Sequence, residues 1–358
     1  MECLVGKSTE ELEQLAMRLE QRPLRGRQLA RWIYRRRASR FESMTDLPKA
    51  LRAALARDYA VRSATVIGVT RAADDVTKFA LRFPEVGYAE CVTIPAQSRT
   101  TICVSTQVGC PVGCAFCASG QSGFHANLTA GQIVEQVLFA LDPTGEADTA
   151  EASVNVVYMG MGEPFLNYDS TLRSIRLLRN EMGIGARAIT VSTIGVPDRI
   201  RQLAEDEPQV NLAVSLHAAT DALRRQLIPR RCTPIRELLQ ATRDYIEATN
   251  RRVSFEYVLI RGLNDGTEDA PGVLSDARRL GRLLRGMLCH VNVIPYNATG
   301  ARFRAPTQRQ AAAFCKVLQD AGINATVRVS RGSDAEAACG QLRARLEDEA
   351  AVESGGNA

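Results

Sequence analysis

From residue 100 onward the chain alternates between short β-rich runs and longer helical patterns, and this alternation constrains the fold more than any other feature. Candidate strands are 101–106 (TICVST), 153–159 (SVNVVYM), 188–193 (AITVST), 211–216 (NLAVSL), 253–260 (VSFEYVLI) and 290–296 (HVNVIPY), with 324–330 (NATVRVS) as a late addition. Between them lie patterns such as TAGQIVEQVLFAL, YDSTLRSIRLLRNEM, IRELLQATRDYIEA and APGVLSDARRLGRLL, whose apolar residues recur at helical spacing. Strands that read as nearly continuous apolar runs, joined by helical crossovers, predict a parallel sheet covered on both faces. Six such units fit an α/β fold of the partial (βα)6 barrel kind, which places functional residues at the C-terminal ends of the strands.

The flanks read differently. Residues 1–60 form short helical patterns through Leu12, Leu15, Met17 and Leu19, then Leu29, Trp32 and Ile33, then Leu47, Leu51 and Leu55. Residues 61–98 hold the β-rich runs SATVIGV, TKFALRF and YAECVTIP, separated by TRAADDV and PEVG, which predicts an antiparallel meander. The final EDEAAVESGGNA is acidic and rich in small residues, so a disordered tail is expected over 348–358.

With 45% apolar and 24% charged residues the chain has a soluble globular composition, and no stretch reaches the roughly 20 apolar residues of a membrane span. The N-terminus is acidic and amphipathic, without the basic-then-apolar order of a signal peptide, so a cytoplasmic location is expected. Thiols stay reduced there unless they bind metal or do redox chemistry. The ten cysteines therefore read as ligands, catalysts and core residues, while three histidines make a His-rich metal site a poor fit. The net charge of +5 is uneven: residues 22–40 hold eight arginines and no acid, with Trp32 and Tyr34 among them. This segment reads either as a nucleic-acid contact or as a solvated helix whose Leu29, Trp32 and Ile33 face a small core.

The unusual residues cluster just after strands. CPVGCAFC places Cys110, Cys114 and Cys117 at spacings of four and three, directly after the first strand. Structural zinc takes four ligands, usually as two C-x-x-C pairs, and here there is a single C-x-x-C with one more cysteine ahead of it. A four-iron cluster normally takes four thiolates, so three leave one iron with an open position. The C-x3-C-x2-C spacing with Phe116 before its last cysteine resembles the signature of radical S-adenosylmethionine (SAM) enzymes. In them the open iron binds the cofactor's amino and carboxylate groups. GMGEP (160–164) resembles the loop that holds that amino group, with Glu163 as acceptor, and reads equally as an ordinary strand-to-helix turn. A zinc site with Cys103 as fourth ligand, or idle buried thiols, are the alternatives.

RTTICVSTQVGCPVGCAFCASGQSGF, YMGMGEPFLN, VNLAVSLHA, NVIPYN and GSDAEAACGQL, in that order, resemble the RlmN/Cfr family of ribosomal RNA adenine methyltransferases, over about residues 22 to 347. The resemblance implies a [4Fe-4S] cluster on Cys110, Cys114 and Cys117 and two SAM molecules per turnover. It also implies Cys339 as the methyl-carrying cysteine, Cys103 as the thiol that resolves the RNA adduct by forming a disulfide with it, and Glu90 as the proton acceptor. Cofactor contacts carry over to Gly162, Glu163, Ser192, Ser215, Leu216, His217 and Asn297. Read without the family, Glu90 is an acid on the polar face of a strand thirteen residues before Cys103. For His217 the sequence leaves stacking, hydrogen bonding and titration open.

The implied partners are 23S ribosomal RNA, with transfer RNA as a further candidate, and an electron donor such as flavodoxin or ferredoxin; a monomer suffices. The implied layout is a basic RNA-binding accessory domain over 1–60, the β extension over 61–98, and the barrel with its C-terminal cysteine segment over 99–347. GEPFLN and the basic N-terminal segment favour the adenine C2 branch over the C8 branch. Ile194 in STIG, IPRRCTP around Cys232 and GSDAEAACGQL depart from the common pattern. Two competing classes remain: a zinc-containing RNA-binding protein, and a radical enzyme acting on a small molecule, which would have no need of Cys339. Cys3, Cys91, Cys232, Cys289 and Cys315 read as structural, with Cys91 facing away from its neighbour Glu90.

Overall fold

The computed structural model describes residues 1–142, 153–265, 275–297 and 303–328. At its centre is a ten-stranded sheet. Three antiparallel strands, β1 (Thr65–Arg71), β2 (Thr77–Phe83) and β3 (Gly87–Ala96), lead into β4 (Arg99–Cys103). From β4 onward every neighbour is parallel: β5 (Val154–Tyr158), β6 (Ile189–Thr193), β7 (Asn211–Ser215), β8 (Val253–Leu259), β9 (Cys289–Pro295) and β10 (Ala325–Val327). Spatial order follows chain order, as successive crossovers of one hand produce. This is the expected partial barrel, with the late run as its last strand and the meander hydrogen-bonded into the same sheet.

Helices α1 (Thr9–Arg18), α2 (Leu24–Ala30) and α3 (Lys49–Asp58) precede the sheet. The crossovers carry α4 (Ala130–Leu141), α5 (Tyr168–Asn180), α6 (Pro197–Asp206), α7 (Asp221–Leu227), α8 (Ile235–Thr249), α9 (Ser275–Leu284) and α10 (Gln308–Asp320). Helix α4 starts at a capping box, where Thr129 Oγ1 accepts from the Gln132 N–H and Gln132 Oε1 from the Thr129 N–H.

The strands correct one expectation. They are not apolar on both faces. Val253, Phe255, Tyr257 and Leu259 of β8 are fully buried in the main core, each contributing about 1.5–3 kcal/mol. The alternate residues form a second, polar face: Thr190 and Ser192 on β6, Ser215 on β7, Glu256 on β8, Asn292 on β9 and Thr326 on β10. Register places Ser215 beside Glu256, Glu256 beside Asn292 and Asn292 beside Thr326. One face of the sheet packs into the main core, while the other carries these polar residues together with Ala213, Val258 and Ile294.

For the arginine-rich segment the core-facing reading of Leu29, Trp32 and Ile33 holds, although the core they face is the barrel's own and not a small separate one. Trp32, Ile33 and Tyr34 are buried in the same core as the barrel. Trp32 Nε1 donates to Asp46 Oδ1, and the Tyr34 hydroxyl donates to the Lys7 carbonyl and accepts from the Gly6 N–H. Both aromatics are committed to the fold and are not free to stack on bases, whereas Arg31, Arg35 and Arg36 point outward. Buried Glu135 of α4 ties Cys3 and the run before β1 to the barrel by accepting from the Ser63 and Ala64 N–H groups, the Ser63 hydroxyl and the Cys3 thiol.

Candidate active site at the carboxyl ends of the parallel strands

The cysteine loop hangs from a hairpin formed by Gln107–Gly109 and Phe124–Asn127 just beyond β4. Its neck is tight: the Cys110 N–H donates to the Gly123 carbonyl at 2.8 Å, and Gly109 has φ +72°, where a Cβ would lie 1.8 Å from that same oxygen. The loop rests on an apolar cluster separate from the main core, built from Val112, Ile194, Leu227, Ile228, Ile260 and Tyr296 with Phe116 at its edge. The carbonyl of Leu227, the last residue of α7, accepts from the Ala115 N–H at 2.9 Å.

Burial pushes the Cys110 thiol up to about 12, and it raises Cys114 and Cys117 as well. Charges on Cys117 and Glu163 act on both Cys110 and Cys114, so these groups share one site. A metal bound there must displace thiol protons. Among the described residues no three His, Cys, Asp or Glu side chains converge as a single metal ion requires.

Cys103 ends β4 and pairs with Val92 of β3, which in turn pairs with Lys78 of β2. Glu90 lies two residues before Val92, so Lys78, Glu90 and Cys103 project from one face of the sheet. Lys78 Nζ and Glu90 Oε2 are 3.3 Å apart, with side-chain exposures of 2% and 3%. Burial pushes Cys103 up to about 12; the positive charge of Arg328 opposes the rise, and the charges of Cys91 and Glu90 add to it. Cys91, on the opposite face, is buried in the main core as expected. Cys339 lies outside the described residues.

The glycine-rich loop after β5 is locked against the segment after β4. Gly162 has φ +99°, and a Cβ on it would come within 2.7–2.8 Å of Gln107. Gln107 Oε1 accepts from the Glu163 N–H at 2.9 Å while its Nε2 donates to Asn127 at 2.8 Å. The Ser105 hydroxyl accepts from the Met161 N–H and donates to the Glu90 carbonyl. Gln136 of α4 then grips both backbone groups of Ser105 at 2.8 Å.

Glu163 is buried, and each carboxylate oxygen already holds one backbone donor: Oε1 the Phe165 N–H at 3.0 Å and Oε2 the Ile194 N–H at 2.9 Å. Burial nevertheless raises it to about 7. The Thr193 hydroxyl is a third donor to the carboxylate, whose acceptor capacity of about four leaves room for one more.

Ser192 and Ser215 stand half-buried near the carboxyl ends of β6 and β7. The Leu216 side chain is in the main core, with its N–H on the Glu256 carbonyl and its carbonyl on Arg224. His217, at φ +58°, accepts the Val258 N–H at Nδ1 (3.1 Å) and meets the Phe116 ring edge-on at 4.8 Å. Burial pushes it down to about 3, so the ring is neutral with its proton on Nε2. Of the readings left open for His217, it stacks and hydrogen-bonds. Asn297 is exposed just beyond β9.

Sequence reading missed Lys78, Arg224, Glu256 and Asn292. Lys78 had a faint signal as a lysine beside the apolar Phe79, Ala80 and Leu81 of TKFALRF. Asn292 Nδ2 donates to Glu256 Oε1 at 2.8 Å on the polar face, an arrangement the strand alternation could have revealed.

Residues 104–270 match the radical SAM superfamily, and residues 3–61 match the ribosomal RNA large subunit methyltransferase N-terminal domain. A probable dual-specificity RNA methyltransferase RlmN of Moorella thermoacetica is 44% identical over 348 residues, 95% of this chain and 96% of its own. The corresponding protein of Gloeobacter violaceus is 44% identical over 344 residues, covering 96% and 95%. The crystal structure of a radical SAM methyltransferase from Sphaerobacter thermophilus superposes with a TM-score of 0.88 at 44% identity, covering 95% of this chain and 99% of that one.

Proposed function

Since the chain belongs to the RlmN family of radical SAM RNA methyltransferases, we propose that it methylates carbon 2 of an adenosine in 23S ribosomal RNA through a methyl carried on Cys339. Transfer RNA is the second candidate substrate, in keeping with "dual-specificity" in the relatives' names. The observation that carries the reading is the grouping of Cys103 and Glu90 on one face of adjacent strands, directly before the three-cysteine loop.

The donor set fits the superfamily's cofactors. Three thiols on one loop, in a single C-x-x-C with one more cysteine ahead of it and no second pair, suit a [4Fe-4S] cluster with one open iron position better than a structural zinc ion with four protein ligands. Cys110, Cys114 and Cys117 would hold the cluster. Gly162, Glu163, Ser192, Ser215, Leu216, His217 and Asn297 would hold SAM. When bound, these groups supply the methyl carbon and a carbon radical, which an unreactive aromatic carbon requires.

The chain's own residues do the rest. Cys339 carries the carbon to the adenine and is left bonded to it. The Cys103 thiolate attacks the Cys339 sulfur, and a disulfide forms as the carbon–sulfur bond breaks. The bonding pair leaves with the carbon, which takes up a proton as the methyl on the RNA, and a cellular dithiol reduces the disulfide before the next turnover. Glu90 takes the ring proton. Neutral His217 with Phe116 walls the cofactor side and adds no charge there.

Two SAM molecules per turnover and an electron donor such as flavodoxin or ferredoxin complete the proposal, with the protein acting as a cytoplasmic monomer. No helix among the described residues is long and apolar enough to cross a membrane. Residues 1–60 serve as the RNA-binding accessory domain, 61–98 as a β extension and 99–347 as the catalytic barrel. Expression in cells lacking their own enzyme, followed by mass spectrometry of digested RNA, tests this. The expected product is 2-methyladenosine. 8-Methyladenosine would move the chain to the other branch, and unmodified RNA from iron-loaded protein would overturn the assignment.

A further inference from the structure

Arg224 of α7 is fully buried. Its N–H groups are all occupied: Nε by the Leu216 carbonyl (3.2 Å), Nη1 by the Thr233 carbonyl (2.6 Å) and Cys232 Sγ (3.5 Å), and Nη2 by the carbonyls of Ile194 (2.5 Å) and Ser215 (3.3 Å). Every hydrogen-bond partner is a neutral carbonyl or a thiol; the Asp221 carboxylate on the same helix favours its charge, but without an ion pair or hydrogen bond among the described residues. A buried cation held mainly by dipoles costs several kcal/mol, and the cost falls as further counter-charge is supplied.

The candidate counter-charge lies in the cysteine loop. Arg224 lies one turn before Leu227 on the helix beneath that loop, and the carbonyl its Nη2 grips belongs to Ile194, which shares an apolar cluster with Cys110. The same helix holds the loop mechanically, because the Leu227 carbonyl takes the Ala115 N–H. Arg224 also works opposite Glu163. Ile194 gives its N–H to Glu163 and its carbonyl to Arg224, so two buried charges of opposite sign grip one residue from its two sides.

We propose that Arg224 is a positioning residue for the metal centre: it clamps the ends of β6 and β7 beside the cysteine loop and supplies the buried positive charge that balances the cysteine thiolates once they hold iron. This rests on the reading of Cys110, Cys114 and Cys117 as cluster ligands. A fixed positive charge beside an electron acceptor favours its reduced state, so removing it makes reduction harder.

The test compares anaerobically reconstituted wild type, Arg224→Gln and Arg224→Lys by iron and sulfide content and by the midpoint potential followed in electron paramagnetic resonance. The potential of Arg224→Gln is expected to move negative, and that of Arg224→Lys to return toward wild type. A glutamine variant that holds the cluster at the wild-type potential would overturn the proposal. If the glutamine variant loads no iron, the lysine variant decides alone: restored loading supports the proposal, and loading lost as completely overturns it. Wild type without iron and sulfide would instead sink the cluster reading, and the proposal with it.

Discussion

Replacing Lys78 with methionine removes the ammonium 3.3 Å from Glu90 Oε2 and leaves a carboxylate in a site that is 3% exposed. At that separation, with an effective dielectric constant of about 20, the attraction is about 5 kcal/mol. Breaking one side of a buried pair costs about 3–5 kcal/mol, because the remaining charge loses its ion-pair partner. Lys78→Met is therefore expected to destabilise the protein by about 3–5 kcal/mol. Adding Glu90→Gln should recover much of the loss, giving a coupling of about 2 kcal/mol or more. Urea unfolding of the four proteins, all in the same metal-loading state, measures the cycle. Lys78→Met should also stop RNA methylation while iron content is kept, since Glu90 is the proposed proton acceptor. A coupling below about 1 kcal/mol, the range of exposed pairs, would refute the reasoning.

Other perturbations test neighbouring parts of the site. Gly162→Ala should cost about 1–3 kcal/mol and weaken SAM binding, because φ +99° and the approach to Gln107 leave no room for a Cβ; calorimetry showing wild-type affinity would contradict this. Glu163 holds its proton more tightly folded, at about 7, than its ordinary value of 4.5, so stability falls as pH rises through that interval. In cluster-free protein the loss should be about 3 kcal/mol, and it should vanish in Glu163→Gln; parallel pH profiles for the two proteins would rule it out. Charge reversal at Arg31, Arg35 and Arg36 should weaken RNA binding and flatten its salt dependence, the slope falling by about 0.9 for each phosphate no longer neutralised. An unchanged slope would return that surface to a purely solvating role.

The barrel is legible because strand and helix periods alternate cleanly from residue 100, and the six expected strands and the late seventh are present within a few residues of their predicted positions. Helix α7 leaves little trace in the sequence, since seven residues give little room for a period. Both faces of the sheet read as apolar because Thr190, Ser192, Glu256 and Asn292 sit among β-branched and aromatic neighbours that mask their alternation. The chemistry-bearing residues are visible wherever local spacing matters, as in CPVGCAFC and GMGEP. Lys78 is not, because its partner lies on the next strand and only register brings the two together. Arg224 is beyond sequence reading altogether. It bonds mostly to main-chain carbonyls, which every residue carries and which leave no pattern. The same holds for Trp32 and Tyr34, whose burial depends on tertiary packing and not on the arginines around them.

The two-thiol mechanism is tested most directly by Cys103→Ala, produced under low oxygen with full iron loading and examined by mass spectrometry for covalently attached RNA. If Cys103 resolves the adduct, the variant is isolated with an RNA adenosine bonded through one carbon to Cys339, and nuclease digestion places that carbon at C2. A variant free of RNA that still methylates its substrate would contradict the mechanism.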